Sequence, residues 1–274
     1  MSQPPREPRR QLLRTAVLVA LAVELAVRLI RLDEDHPAIL VASSWVTAGL
    51  CWLSAWHLLG LRAAAVLLAL GGGIGLAAEE LGVRTGIVFG DYHYTELLGP
   101  KLGVTPIVIP FTWFALAYLA YVLTNLIAIH APLDAEPGLA PIALRSLLSA
   151  FIVAAYDLAL DPYMVVYKKG WVFTEHGPYF TEPFHGLYGW VAVMFLISFL
   201  FRFWLGRLSG SGPRPPRPPT ALDALVPIAA WAYFGLFFVL VGQPEATRAI
   251  ACFATGIPVL AALMGWMRWR QTQG

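Results

Sequence analysis

Residues Ala77 to Trp113 read AAEELGVRTGIVFGDYHYTELLGPKLGVTPIVIPFTW. Two adjacent carboxylates, Glu79 and Glu80, close a long apolar run, a Gly- and Tyr-rich segment follows, and Pro106 and Pro110 open the next apolar run. Apolar runs of this kind approach the roughly 20 residues that one crossing of a ~30 Å hydrocarbon layer requires. The stretch therefore reads as a turn at a membrane edge, with chemistry-bearing residues held between two spans.

Working outward, the rest of the chain has the same character. It is 58% hydrophobic and 13% charged, where an average soluble domain is about 25% charged, and its mean hydropathy is +0.65. A first apolar run begins near Thr15, and others fall at about 39–60, 63–81, 106–130, 140–160, 187–205, 222–241 and 247–267. Together they predict an all-α fold, a polytopic transmembrane helical bundle of about eight spans forming a single integral membrane domain over residues 1–274. Arg6, Arg9, Arg10 and Arg14 precede the first run, but Glu24 and Arg28 interrupt it and no small-residue cleavage site follows. A retained helix is thus expected in preference to a signal peptide. Glu24 and Arg28 are spaced i, i+4 and can pair on one face, which lessens the cost of intramembrane charge.

Basic residues are enriched on the cytoplasmic side of membrane proteins. With the N-terminus inside, twelve of the 19 basic residues fall on that side, so both termini are expected to be cytoplasmic. Ser209 to Pro219, SGSGPRPPRPP, cannot be a helix interior, because proline lacks the amide donor. It reads as a Pro-rich cytoplasmic linker between spans six and seven. Cys51 and Cys252 lie in apolar runs and read as buried thiols. A net charge of +2 gives no case for nucleic acid.

Two acidic pairs stand out. Glu79 and Glu80 end the third span, and an acidic pair next to hydrocarbon suggests function unless it merely exits the membrane. Asp157 and Asp161, in YDLALDPYM, are spaced i, i+4 on one face of the fifth helix, with Pro162 marking its end. Two carboxylates so placed do not both ionise cheaply in apolar surroundings, so one is expected to hold a proton and serve as an acid. The segments 82–105 and 161–186 are separated by a two-helix hairpin and emerge on the same face, so both acidic pairs can meet in one pocket. These segments are rich in aromatics, including Tyr92, Tyr94, Trp171 and Tyr179, with Trp113 and Trp190 in the adjoining helices. Part of this set belongs to an interfacial aromatic belt. A subset is expected to line a cavity whose ring faces stabilise a cation.

Other signals are weaker. Gly73-Ile74-Gly75-Leu76-Ala77-Ala78 fits a dinucleotide fingerprint but lies within an apolar helix, so close helix packing is the better account. The six histidines, His93, His176 and His185 among them, show no metal-ligand spacing, and no metal is expected. Asp157 and Asp161 match half of the aspartate equipment of membrane prenyltransferases, whose second acidic cluster is missing here.

The blocks EELGVRTGIVFGDYHYTELLGPKLGVTPIVIPFTW, DLALDPYM and GPYFTEPFHGLYGW, in this order over about residues 75–205, resemble the carotenoid biosynthesis membrane protein family that includes carotenoid 1,2-hydratases. The family block close to Pro-x-x-Asn-Phe-x-Gly-Trp is here Pro183 to Trp190, with His185 or Gly186 at the Asn place. The resemblance implies addition of water across the terminal C1=C2 double bond of an acyclic, lycopene- or γ-carotene-like carotenoid, giving a tertiary alcohol with no cofactor. The partners it implies are that carotenoid, water and the lipid bilayer, with other enzymes of carotenoid synthesis as neighbours. Hydration of a trisubstituted alkene needs a strong acid, an environment that tolerates a tertiary cation and a placed water. Asp157 and Asp161 are the expected acid and water-orienting pair, with Glu79 or Glu80 third, and Tyr92, Tyr94, Trp113, Trp171, Tyr179 and Trp190 as substrate contacts. A carotenoid end-group cyclase would use the same protonation and quench the cation internally. A non-enzymatic transporter or carotenoid-binding protein would use intramembrane charge differently.

Overall fold

The structure is a computed structural model describing residues 7–33, 36–133, 138–174, 177–208 and 219–272. The linker 209–219 lies outside the described residues up to position 218, as does His176.

Among the described residues there are eight α-helices: α1 (Glu7–Asp33), α2 (Pro37–Leu59), α3 (Leu61–Thr85), α4 (Val108–Ile129), α5 (Leu139–Pro162), α6 (Phe184–Phe203), α7 (Ala221–Val241) and α8 (Thr247–Gln271). Seven of them, α2 to α8, are long and apolar enough to cross a membrane. The first helix differs because its apolar run carries Glu24, Arg28 and Arg31. Glu24 and Arg28 pair as their spacing predicts, with Arg28 Nε donating to Glu24 Oε1 at 2.5 Å. Thr47 of α2 joins them, its hydroxyl donating to Glu24 and accepting from Arg28. Both charges are thereby paired inside the bundle through Glu24 Oε1, with Oε2 buried and without a partner, and are not left facing lipid.

A helix apolar all round is a buried helix, and α4 is buried without interruption from Trp113 to Leu126. The other spans pack around it. Helix α3 approaches it through glycines: a Cβ on Gly71 would stand 2.8 Å from Phe114 Cα, and one on Gly75 2.5 Å from the Trp113 ring. This close approach explains the glycine-rich turn of α3, although Gly73 itself faces open space. Gly71→Val is expected to lower stability by about 1–3 kcal/mol through overpacking against backbone. The measurement is thermal unfolding of the detergent-solubilised protein. Cys252, unlike Cys51, is exposed on α8, since that helix lies at the rim and turns apolar residues outward.

The two segments expected to share a face do meet, through short strands that a helical reading does not show. Strand β1 (Tyr92–Tyr94) pairs antiparallel with β4 (Trp171–Phe173), in the register Tyr92 to Phe173 and Tyr94 to Trp171. Successive strand residues point to opposite faces. Tyr92, Tyr94, Trp171 and Phe173 are therefore turned inward while His93 is exposed. A second pair, β2 (Lys101–Leu102) and β3 (Thr105–Pro106), forms a tight hairpin before α4.

Pro162 does not stop the chain's helical path as its sequence position suggests. The backbone continues as a π-helical segment, Tyr163–Lys168. Pro162 has no amide hydrogen, so the Leu158 carbonyl lacks its in-helix donor. Tyr179 supplies one, its hydroxyl donating to Leu158 O at 2.5 Å.

Candidate active site

The four inward rings of β1 and β4 roof a cavity of about 130 Å³ that extends into the bundle between α1, α2, α4, α5 and α7. Its acidic wall is formed by Glu79, Asp161 and Glu182, its aromatic wall by Phe89, Tyr92, Tyr94, Trp113, Trp171, Phe173 and Trp190. Trp113 and Trp190 stack at 4.4 Å between centroids, and Phe89 stacks on Trp113 at 6.1 Å. Tyr94 meets Trp171 edge-on at 5.8 Å. A dry apolar cavity of roughly 150 Å³ accepts a benzene-sized guest. The space is thus of the order of one benzene-sized group, with charged side chains on part of its wall.

Glu79 is buried in the last turns of α3 and accepts three hydrogen bonds. Tyr92 and Tyr94 donate to Oε2, the latter at 2.8 Å, and Trp113 Nε1 donates to Oε1 at 2.9 Å. Burial, followed by the neighbouring Glu79, pushes both tyrosine hydroxyls well above their ordinary range, so they remain donors. Glu80 is one residue on and, as adjacent helix positions do not share a face, it leaves the cavity. Its Oε1 accepts from the Val104 and Thr105 amides at 2.8 and 3.0 Å, and its Oε2 pairs with Arg84 at 2.9 Å. Its place is as an anchor for the β2–β3 turn.

Asp157 and Asp161 lie on one face of α5, and Glu182 joins them from the segment between β4 and α6. One oxygen from each of the three lies within 4.8 Å of the others. All three are buried, and no N–H or hydroxyl group donates to either oxygen of Asp157 or of Glu182. Asp161 and Glu182 are among the residues lining the cavity, with the Glu182 carboxyl itself turned into the packing, while Asp157 is not part of the lining. An all-oxygen trio is the donor set a hard divalent cation would use. It is a ligand type distinct from the histidine spacings sought in the sequence.

Of the expected substrate contacts, Tyr92, Tyr94, Trp113, Trp171 and Trp190 line the cavity. Tyr179 does not, being engaged with Leu158. His93 and His185 are exposed, the latter beside the Gly86 carbonyl at 3.2 Å. Gly186, in the block that departs from the family pattern, has no room for a side chain: a Cβ would come within 2.9 Å of Glu182 Oε1 and of Phe89 O. Sequence reasoning missed Glu182, and it also missed Tyr156, Phe234 and Phe238, which close the inner end of the cavity from α5 and α7. Arg28, expected only as half of an ion pair, also reaches the cavity, with its guanidinium 4.3 Å from the Phe234 ring centroid.

Fold and site together define an integral membrane protein whose helices enclose an acidic, aromatic-walled cavity beside the segments joining α3 to α4 and α5 to α6. The chain belongs to the carotenoid biosynthesis protein family, whose sequence pattern matches residues 37–258. It is similar to the bisanhydrobacterioruberin hydratase of Haloarcula japonica, with 31% identity over 162 residues, an alignment covering 58% of this chain and 52% of that protein. The match thus spans about half the length of this curated relative. No solved structure matches the chain.

Proposed function

We propose that the protein is a carotenoid 1,2-hydratase acting on the end group of an acyclic carotenoid. The observation that carries this reading is the placement of buried carboxylates against a stacked aromatic wall in a cavity sized for one isoprenoid end. The similarity to a hydratase supports it.

In this reading Asp161, with Asp157 behind it, holds a proton and delivers it to C2 of the terminal double bond. The C–H bond forms as the π bond breaks, leaving a tertiary cation at C1. The faces of Trp113, Trp190 and Phe89 stabilise that charge. Water then adds to C1 and gives up one proton to Glu79, from which it returns to Asp161, so the net change is the addition of water and no electron acceptor is involved. Glu79 is the group to orient that water. A carboxylate offers about four acceptor positions; three are occupied by Tyr92, Tyr94 and Trp113, which leaves one for the nucleophile. Glu80 has no part in the chemistry.

Expression in a lycopene-producing host followed by pigment mass analysis tests the proposal: an added water is expected, and unaltered pigment would contradict it. A cyclised isomer without added oxygen would instead support the cyclase alternative. A second prediction concerns the cation. Trp190→Leu is expected to reduce kcat roughly 2- to 30-fold, the equivalent of a cation–π contribution of ~0.5–2 kcal/mol. Initial rates in isolated membranes provide the check. We further propose that both termini are cytoplasmic and the cavity lies toward the opposite face, which labelling of a cysteine introduced at Ile87 from either side of sealed vesicles tests.

A further inference from the structure

The carboxylate trio carries one consequence that the pair on α5 alone does not. Three carboxylates lie within 4.8 Å of one another. Among the described residues, none of them is in an ion pair. Buried like charges at this separation are not tolerated uncompensated, so either protons or a bound cation must neutralise them. A hard divalent cation takes about six oxygen ligands and commonly retains waters, whereas the oxygens of Asp157 and Glu182 are closed to water by packing. Protons need no such room.

The backbone places Glu182 in this position deliberately. Tyr179 and Glu182 close a tight turn, with Glu182 N–H donating to Tyr179 O at 2.8 Å and Tyr179 N–H to Glu182 O at 3.2 Å. The residues between them, Phe180 and Thr181, have φ of 48° and 77°, a left-handed conformation disfavoured for side chains of this kind. Gly186 then leaves the space that Glu182 Oε1 occupies.

We propose that Glu182 is a positioning residue of this site, the proton-holding third member of a unit with Asp157 and Asp161. It rests on the hydratase reading. As Asp161 transfers its proton to the alkene carbon, Glu182 passes its own proton to the Asp161 carboxylate, and the proton released by the captured water restores the unit. No proton is gained or lost over a turnover. Burial, and then the facing Asp161, push Glu182 up to about 10, so it is neutral at physiological pH. The titratable groups around it are Asp157 and Asp161 on α5, Tyr179 in its own turn and, beyond Asp161, Glu79 on α3.

The test compares wild type, Glu182→Gln and Glu182→Asp in isolated membranes with an acyclic carotenoid. Rates are measured across pH, and with a chelator followed by magnesium or manganese. We expect Glu182→Gln to lose about 100-fold or more in kcat, with KM changed less than about 3-fold, and Glu182→Asp to recover part of the rate. Wild-type rate should hold through neutral pH and fall as pH rises toward 10, a limb that the residual activity of Glu182→Gln lacks. Near-wild-type rate in Glu182→Gln would overturn the proposal. So would failure of both variants to accumulate in the membrane, which would make the residue structural, or activity abolished by chelation and restored by a divalent cation. Absence of hydrated product from wild type would contradict the hydratase reading itself, and this role with it.

Discussion

Asp161→Asn is expected to abolish formation of the hydrated carotenoid, with kcat falling by about 10²–10⁴-fold, the range that a positioned general acid contributes. The substitution keeps the size and planarity of the side chain while removing the transferable proton. Asp161 faces the cavity at the end of α5, whereas Asp157 is behind it. The amide replaces a protonated carboxyl of the same size within the crowded trio, so the variant protein should accumulate in the membrane about as well as wild type. Product analysis beside a quantitative immunoblot makes the comparison. Full activity in a folded Asp161→Asn protein would remove this residue from the mechanism.

Glu79→Gln is expected to have the second largest effect, for a different reason. Both oxygens of Glu79 accept hydrogen bonds, from Tyr92 and Tyr94 on one side and Trp113 on the other. An amide offers only one acceptor atom, so either the tyrosines or the tryptophan must face an NH₂ group. A buried donor left without an acceptor costs about 1–3 kcal/mol. The variant should therefore be less stable, and kcat should fall by about 100-fold as the water loses its base. Thermal unfolding together with initial rates separates the two contributions: a stability loss with unchanged kcat would make Glu79 a support for the aromatic roof only.

Much of the architecture is legible in the chain because hydrocarbon-spanning helices need long apolar runs. The spans read from composition coincide with α2 to α8 within a few residues. The convergence of the two acidic segments follows from helix parity alone. The strands β1 and β4 are not legible, since three residues are too few to show a period of two. Which of Glu79 and Glu80 enters the cavity depends on the rotational phase of α3, and that is fixed by Gly71 and Gly75 packing on α4. Glu182 is hidden for a more local reason. Its burial follows from a left-handed turn at Phe180 and Thr181, where the sequence lacks the glycine or asparagine that normally signals such a turn. Tyr179 misleads in the opposite direction: its hydroxyl is needed at the Leu158 carbonyl that Pro162 leaves without a donor.

In the proposed reaction these features serve a single chemical event, capture of a solvent water by a cation formed at the end of the carotenoid. Supplying membranes containing the protein with an acyclic carotenoid in oxygen-labelled water, and measuring label in the product by mass spectrometry, observes it directly. One labelled oxygen per hydrated end, at the tertiary carbon, is expected in wild type, and none in Asp161→Asn. An altered pigment carrying no label, or a ring product of unchanged mass, would contradict the proposed reaction.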